Sequence, residues 1–290
     1  MAEAGRMCML QIDGKSVAVP EGTTILAASR KLGIDIPTLC HHPALEPYGV
    51  CRVCLVEVKT GRRVRVVTAC NFPVEGDGLE VSTSSNKIQK DRRTVIELLL
   101  ARCFSSPVVR EFAARFGVSG TDLEKTEGEQ CLLCGLCVNV CRELIGQAAI
   151  GFAGRGADRK TAVPFGKPTG DCIGCGACVH VCPTGCIKME DLPTERRIER
   201  WMSLVPLLKC RKCGRAFGPL RQLELLKNRQ PLVKPYMELC PECRQRLLAE
   251  RFVGPGVGVA EKLGGAIPGA SGAMVTEFWA ETPHPARARW

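Results

Sequence analysis

The stretch that decides the fold comprises two cysteine runs, CLLCGLCVNVC at residues 131–141 and CIGCGACVHVCP at residues 172–183. Both have the spacing C-x2-C-x2-C-x3-C, and together they form the internal repeat of the chain. Steps of two or three residues between cysteines suit metal chelation better than a spread framework of disulfides. Small residues at positions 135, 174, 176 and 177 let the backbone pass close to a bulky inorganic group. We therefore expect residues 129–195 to fold around metal-bound thiolates.

This spacing is typical of bacterial-type 2[4Fe–4S] ferredoxin domains, in which the fourth cysteine of each run ligates the other cluster. The sequence therefore predicts two [4Fe–4S] clusters. Cluster A is assigned to Cys131, Cys134, Cys137 and Cys182, and cluster B to Cys141, Cys172, Cys175 and Cys178. Cys186 lies outside both runs, and we expect it to have no partner.

An earlier set of cysteines has the spacing Cys40-x10-Cys51-x2-Cys54-x15-Cys70. Three ligands on one loop, with a fourth from a distant strand end, predict a plant-type [2Fe–2S] site. His41 and His42 could instead ligate a Rieske-like cluster. Since four suitable cysteines are present, we expect both histidines to be loop residues.

The residues around this site predict a small α+β unit over residues 1–85, in the order strand, strand, helix, loop, strand, strand. MCMLQIDGKSVAVP (7–20) predicts two strands that turn at Asp13-Gly14. Thr23 or Thr24 is expected to cap the helix that follows.

The segment PTLCHHPALEPYGVCRVCLVEV (37–58), with TAC at 68–70, resembles a known β-grasp ferredoxin domain. It stands at the N-terminus of a family that includes the large iron–sulfur subunit of bacterial NADH dehydrogenase. The small diaphorase subunit of bidirectional hydrogenases and the front end of iron-only hydrogenases belong to the same family. The resemblance implies a β-grasp fold and one [2Fe–2S] cluster.

The next segment departs from that family. Family members carry one histidine and three cysteines after the following helix, and these ligate an additional [4Fe–4S] cluster. Here the helical pattern NKIQKDRRTVIELLLAR (86–102) continues as CFSSPVVREFAARFGV (103–118), with only Cys103 in that region. We predict a helical linker over residues 86–128, with a second helix at 108–116. We also predict no cluster there, and Cys103 as a buried apolar thiol.

Two further C-x-x-C pairs lie near the C-terminus: Cys210 with Cys213, and Cys240 with Cys243. Two such pairs predict one tetrahedral ion in a small zinc-finger-like module, of the zinc-ribbon or treble-clef type, over residues 196–252. The basic, non-aromatic surroundings favour zinc, with a rubredoxin-like iron site or another cluster as the alternative. Residues 253–290, rich in Gly, Ala and Pro, predict an extended tail.

The formal net charge of +10 suggests nucleic-acid binding, but it counts every cysteine as a neutral thiol. Four thiolate sites of about −2 each lower the net charge to roughly +2. Aromatic residues, at 5%, are too few for a stacking platform, so we expect no nucleic-acid partner. The sequence shows neither a signal-peptide pattern nor an apolar run of about 20 residues, which predicts a cytoplasmic location without a transmembrane segment.

No substrate site is visible in the sequence. GFAGRGAD (151–158) and GPGVGVAEKLGG (254–265) lack the G-x-G-x-x-G pattern, so we assign no catalytic residue. We expect an iron–sulfur electron-transfer subunit of a cytoplasmic multi-subunit oxidoreductase. The resemblance implies a flavin/NAD(P)- or ferredoxin-linked subunit at one end and a catalytic subunit, such as a hydrogenase or formate dehydrogenase, at the other. The alternative is a redox-sensing or assembly protein that docks partners through its zinc module.

Overall fold

The computed structural model of the chain describes residues 6–168, 170–229 and 237–253. They divide into two compact units. The first contains the described residues up to Leu207 together with Pro219–Leu225; the second contains Leu208–Gly218 and the described residues from Leu226 onward. The tail predicted over residues 253–290 lies, from residue 254, outside the described residues. The other domain limits drawn from the sequence stay predictions.

The N-terminal domain is a five-stranded sheet with one short helix. Its elements are β1 (Met7–Ile12), β2 (Lys15–Pro20), α1 (Ile25–Lys31), β3 (Leu55–Thr60), β4 (Arg63–Thr68) and β5 (Leu79–Ser82). The spatial order is β2-β1-β5-β3-β4, and only the β1–β5 pair in this sheet is parallel. Alternate residues of β1 are buried, as the period of two in a half-buried strand requires.

Local signals set the boundaries of these elements. Asp13 and Gly14 both have positive φ (47° and 78°), which gives the two-residue turn that matches strand twist. The Thr24 hydroxyl accepts a hydrogen bond from the Ala27 N–H at 3.2 Å and caps α1. The predicted turn and cap are therefore confirmed.

Two helices follow, α2 (Asn86–Arg102) and α3 (Pro107–Arg115). Ser85 caps α2 and Ser106 caps α3, each through its side-chain oxygen. The helix α2 has the predicted bounds, whereas α3 begins one residue early because Pro107 is suited to the first helical turn. Cys103 has no exposed surface, which confirms the prediction of a buried thiol.

The segment with the two cysteine runs consists of short elements. They are α4 (Leu136–Asn139), a π-helical turn (Val140–Ile145), β6 (Gly151–Ala153), β7 (Lys160–Ala162), α5 (Ala177–His180), β8 (Met189–Asp191), β9 (Glu195–Ile198) and β10 (Ser203–Lys209). β6 pairs with β7, and β9 pairs with both β8 and β10, all antiparallel. One apolar core joins α4, the π-helical turn, β6, α5, β8 and β9 to α2, α3 and the loop around Cys40 and Cys51.

The remaining elements are β11 (Ala216–Pro219), α6 (Leu220–Arg229) and α7 (Pro241–Val253). In the second unit, Phe217 and Leu247 pack on a small core that consists of three cysteines and Leu239. The mixture of helices and sheets confirms the predicted α+β class. Within the described residues, no helix is both long enough and apolar enough to cross a membrane.

Candidate metal centres

The structure brings the four cysteines of the first group together. Cys40 and Cys51 lie on the loop after α1, Cys54 immediately precedes β3, and Cys70 follows β4. All four are buried. The Cys51 N–H donates to the Cys40 sulfur at 3.4 Å, and the Cys54 and Cys70 thiols hydrogen-bond each other.

The paired thiols hold their protons unequally. The hydrogen bond from Cys40 lowers the pKa of Cys51 to about 6, and the same contact raises the pKa of Cys40. The hydrogen bond with Cys70 likewise lowers the pKa of Cys54. Because iron binds the thiolate form, all four cysteines lose their protons when a cluster binds.

The loop that carries Cys40 and Cys51 contains Gly49. Its φ is +66°, and a Cβ at this position would lie 2.7 Å from the Asn71 side-chain nitrogen. The positive φ therefore favours glycine here, and a larger residue would also displace the Asn71 side chain. On the same loop, the His42 ring nitrogen Nδ1 accepts a hydrogen bond from the Ala44 N–H at 3.2 Å. This contact supports a loop role for His42.

Arg92 was missed by sequence reasoning. It is buried, and its guanidinium donates to the carbonyls of Val53 (3.0 Å), Leu55 (2.8 Å) and Thr83 (3.1 Å). The residue thus ties α2 to the segment that carries Cys54. Its position on the buried stripe of α2, four residues after Ile88 and four before Ile96, is the signal that could have revealed it.

The second group of cysteines surrounds two cavities. Cavity A is lined by Cys131, Cys134, Cys137, Thr161, Cys182, Thr184, Cys186 and Arg200, with a few apolar neighbours. Cavity B is lined by Cys141, Cys172, Cys175 and Cys178, with Ile145, Ile198 and Trp201 among the apolar residues. The fourth cysteine of each run therefore lies in the cavity of the other run.

The expectation that Cys186 has no partner is wrong. Its sulfur lies 3.6 Å from that of Cys182 inside cavity A. The spacing of the cysteines in the sequence did not reveal this contact, because the turn after Pro183 reverses the chain. The Gly185 N–H donates to the Cys182 carbonyl at 3.2 Å, which returns Cys186 to the side of Cys182.

Two residues beyond the runs support cavity B. The Trp201 indole N–H donates to the Cys178 sulfur at 3.4 Å, and Trp201 is 1% exposed. Arg196 donates to the Gly174 carbonyl at 2.8 Å while it pairs with Asp191 at 2.6 Å. Neither contact to cavity B has a local sequence signal, since each joins residues more than 20 positions apart.

The three groups of thiols form a continuous series. Burial raises the pKa of Cys134 to about 12, and nearby thiolates, including Cys51 of the N-terminal loop, contribute to the increase. Burial also raises the pKa of Cys137, with a contribution from Cys178 of cavity B. Cys51, Cys134, Cys137 and Cys178 also belong to one apolar core, so the thiols of cavity A lie near both the N-terminal site and cavity B.

Aromatic and polar contacts secure the N-terminal loop against the dicluster segment. Tyr48 stacks on Phe152 with ring centroids 6.4 Å apart. The Arg159 guanidinium lies 4.2 Å from the Phe152 ring centroid and donates to the Tyr48 hydroxyl at 3.2 Å. These contacts hold the two metal-binding segments in a fixed relation.

The C-terminal cysteines form a much tighter group. The sulfurs of Cys210, Cys213, Cys240 and Cys243 all lie within 4.8 Å of one another. In the described part of the chain, no other group of His, Cys, Asp or Glu side chains is gathered in this way for a single ion. A tetrahedral ion with metal–sulfur bonds of about 2.3 Å separates its ligand sulfurs by about 3.8 Å. The Cys213–Cys240 separation is 3.8 Å.

The helix α7 begins directly after Cys240. The Cys243 N–H lowers the pKa of Cys240, as expected for a thiol at a helix N-terminus. The Arg215 guanidinium lies 3.6 Å from the Cys240 sulfur and 2.6 Å from a Glu242 carboxylate oxygen. The group thus has the charge environment of a thiolate site.

Comparison with known families bears out the domain content. Residues 5–86 match the family described as 2Fe-2S iron-sulfur cluster binding domain. Residues 125–189 and 171–217 match two families that are both described as 4Fe-4S dicluster domain. The predicted succession of a [2Fe–2S] domain and a [4Fe–4S] dicluster region is therefore confirmed.

Several relatives are subunits of oxidoreductases. The chain is 36% identical over 205 residues to NADPH-Fe(3+) oxidoreductase subunit alpha of Geobacter sulfurreducens. The aligned region covers 62% of this chain and 24% of that protein. It is 29% identical over 235 residues to an NADH-quinone oxidoreductase subunit of Rhizobium meliloti, and this alignment covers 72% of this chain and 27% of that protein. It is 35% identical over 213 residues to NADP-reducing hydrogenase subunit HndD of Solidesulfovibrio fructosivorans, and this alignment covers 62% of this chain and 36% of that protein.

The matched region spans about a quarter to just over a third of these curated relatives. Among solved structures, an NAD+-reducing [NiFe]-hydrogenase in the H2-reduced state matches with a TM-score of 0.47 and 25% identity. That match covers 54% of this chain and 74% of the other chain.

Proposed function

Because this chain belongs to the family of iron–sulfur subunits found in NADH-quinone oxidoreductases and NADP-reducing hydrogenases, we propose that it relays single electrons within a multi-subunit oxidoreductase. The observation that carries the proposal is the series of three thiol sites in one packed unit. Iron–sulfur clusters supply the one-electron chemistry when bound, and the protein determines their position, burial and hydrogen bonding.

The ligand sets are part of the proposal. The [2Fe–2S] cluster is held by Cys40, Cys51, Cys54 and Cys70; cluster A by Cys131, Cys134, Cys137 and Cys182; cluster B by Cys141, Cys172, Cys175 and Cys178. The cavities and thiol contacts described above support these sets, since each set lines one site. The position of cavity A supports an electron path from the [2Fe–2S] site through cluster A to cluster B, or the reverse.

We assign a single zinc ion to the C-terminal group. The tight packing of its sulfurs supports one ion, because a cubane binds each thiolate to a different iron and so requires ligand sulfurs further apart. A single iron fits the same geometry, and the match over residues 171–217 includes Cys210 and Cys213, so iron is the alternative to be tested. The zinc would stabilise a unit that has little apolar core.

Relatives among NAD(P)H-linked oxidoreductases and hydrogenases support partner subunits of two kinds. A flavin/NAD(P)- or ferredoxin-linked subunit exchanges electrons with one end, and a catalytic subunit such as a hydrogenase or formate dehydrogenase exchanges them with the other. All 19 cysteines are free of disulfides in the structure, which supports a reducing, cytoplasmic setting. Nucleic acid is not among the proposed partners.

The test is metal analysis with EPR during stepwise reduction of the full chain. We expect about ten irons and one zinc per chain, with three reducible clusters. About eleven irons and no zinc would mean that the C-terminal group binds a single iron, and about fourteen irons would mean that it binds a fourth [4Fe–4S] cluster. Substrate turnover by the purified chain without partners would contradict the relay.

A pair of matched variants sharpens the test. Cys54→Ala removes a proposed [2Fe–2S] ligand, so we expect the loss of two irons and of the [2Fe–2S] EPR signal. Cys8→Ala is the control, because Cys8 is equally buried in β1 but has no proposed metal. Equal iron content in the two variants would refute the assignment of Cys54. The sensor alternative predicts instead that cluster oxidation changes partner affinity without electron delivery.

A further inference from the structure

Cavity A contains one thiol more than a four-ligand cluster requires. Its five cysteines are Cys131, Cys134, Cys137, Cys182 and Cys186. The Cys186 sulfur lies 3.6 Å from that of Cys182, and Cys131 lines the same cavity. The extra thiol therefore lies directly beside a proposed ligand of cluster A.

The backbone holds Cys186 in that position. Gly185 has a φ of +61°, and its N–H donates to the Cys182 carbonyl, so the chain turns tightly between the two cysteines. Cys182 and Cys186 both pack against the main apolar core. The two sulfurs are therefore held close together on the same side of cavity A.

The charge of cavity A accommodates a further thiolate. The Arg200 side chain lines the cavity and is largely buried. Its guanidinium contacts Thr161 at 3.4 Å and Glu129 at 3.5 Å. This partly exposed cation, which also contacts the Glu129 carboxylate, lies beside several sulfurs and favours their anionic forms.

Cavity B provides a comparison within the same chain. Its fourth cysteine, Cys141, occupies the place in the first run that Cys182 occupies in the second. Four residues after Cys141 stands Ile145, which lines cavity B and offers no ligand atom. Of the two cavities, only cavity A thus has a spare thiol.

We propose that Cys186 is a reserve ligand of cluster A, able to replace Cys182 on the same iron; this rests on the cluster assignment proposed above. In the exchange, the Cys186 thiol loses a proton and forms a bond to iron. Cys182 leaves that iron and takes up a proton, and no electron is transferred. Cluster A would thereby survive the loss of one of its ligands, whereas cluster B would not.

The experiment compares iron content and EPR spectra of full-length chains reconstituted with iron and sulfide under anaerobic conditions. We expect Cys182→Ala and Cys186→Ala each to keep about ten irons and both [4Fe–4S] signals. The double variant Cys182→Ala/Cys186→Ala should lose cluster A or convert it to a three-iron form. Cys141→Ala is the matched control and should lose or convert cluster B.

The proposal is overturned if Cys182→Ala loses as much iron as Cys141→Ala. Should Cys182→Ala fail to fold, Cys182→Ser changes a single atom and serves instead. Its Mössbauer spectrum should show only thiolate-ligated irons, and an oxygen-ligated iron would overturn the proposal equally. A wild-type chain with fewer than about ten irons would refute the proposed cofactor set itself, which is a separate result.

Discussion

Trp201→Phe isolates one hydrogen bond to a proposed cluster ligand. The substitution removes the indole N–H that lies 3.4 Å from the Cys178 sulfur and keeps an aromatic ring in the buried site. Reduction adds negative charge to the cluster and its thiolates, so a donor aimed at a ligand sulfur stabilises the reduced state more than the oxidised state. We expect the variant to have a lower reduction potential at cluster B.

The size of the shift follows from the strength of the bond. Hydrogen bonds to charged groups contribute about 1.5 to 3 kcal/mol, and only the part that changes on reduction affects the potential. If that part is about 0.5 to 1.5 kcal/mol, the one-electron conversion of about 59 mV per 1.4 kcal/mol gives a decrease of roughly 20 to 60 mV.

The assay is an EPR-monitored redox titration of the full chain, wild type against Trp201→Phe. Cluster A and the [2Fe–2S] cluster are internal controls, and their potentials should stay within about 10 mV because the bond reaches only Cys178. An unchanged potential of cluster B, or an equal shift of all clusters, would refute the reasoning.

Three further outcomes are expected. Arg92→Met should destabilise the chain by about 3 kcal/mol, since three buried carbonyls lose their donor; thermal unfolding measures this, and Arg110→Met, at an exposed position of α3, should cost under about 1 kcal/mol. An equal loss of stability in both variants would contradict the special role of Arg92. Gly49→Ala should cost about 1 to 2 kcal/mol and speed the loss of [2Fe–2S] absorbance in a chelator, and wild-type kinetics would refute the required positive φ. Cys243→Ser should release the zinc and leave the iron content at about ten, whereas a loss of iron would mean that the C-terminal group binds iron.

The features predicted correctly from the sequence depend on local patterns. The turn at Asp13-Gly14, the cap at Thr24 and the helix α2 each rest on residues within a few positions of one another. The two cysteine runs are also local patterns, and their repeat predicts that the fourth cysteine of each run ligates the cluster of the other run. Local chemistry was therefore sufficient for the order of the cluster-binding domains, but it did not reveal that Cys186 lies in cavity A.

The features missed depend on distant contacts. The strands β8 and β9 contain three and four residues, too few for a periodic pattern to be visible. Arg92 reaches Val53 across 39 positions, and Trp201 reaches Cys178 across 23. The absence of the family's middle cluster stays a prediction that iron analysis will test.

The apolar core shared by the N-terminal loop and the dicluster segment also bears on inheritance. Leu39 and Val53 of the N-terminal loop are buried in the same cluster of apolar side chains as Leu136 and Ile198 of the dicluster segment. A recombination event that transferred either ferredoxin segment alone would expose that cluster to water and favour aggregation. The two segments are therefore expected to be passed on, duplicated or lost together, as one evolutionary unit.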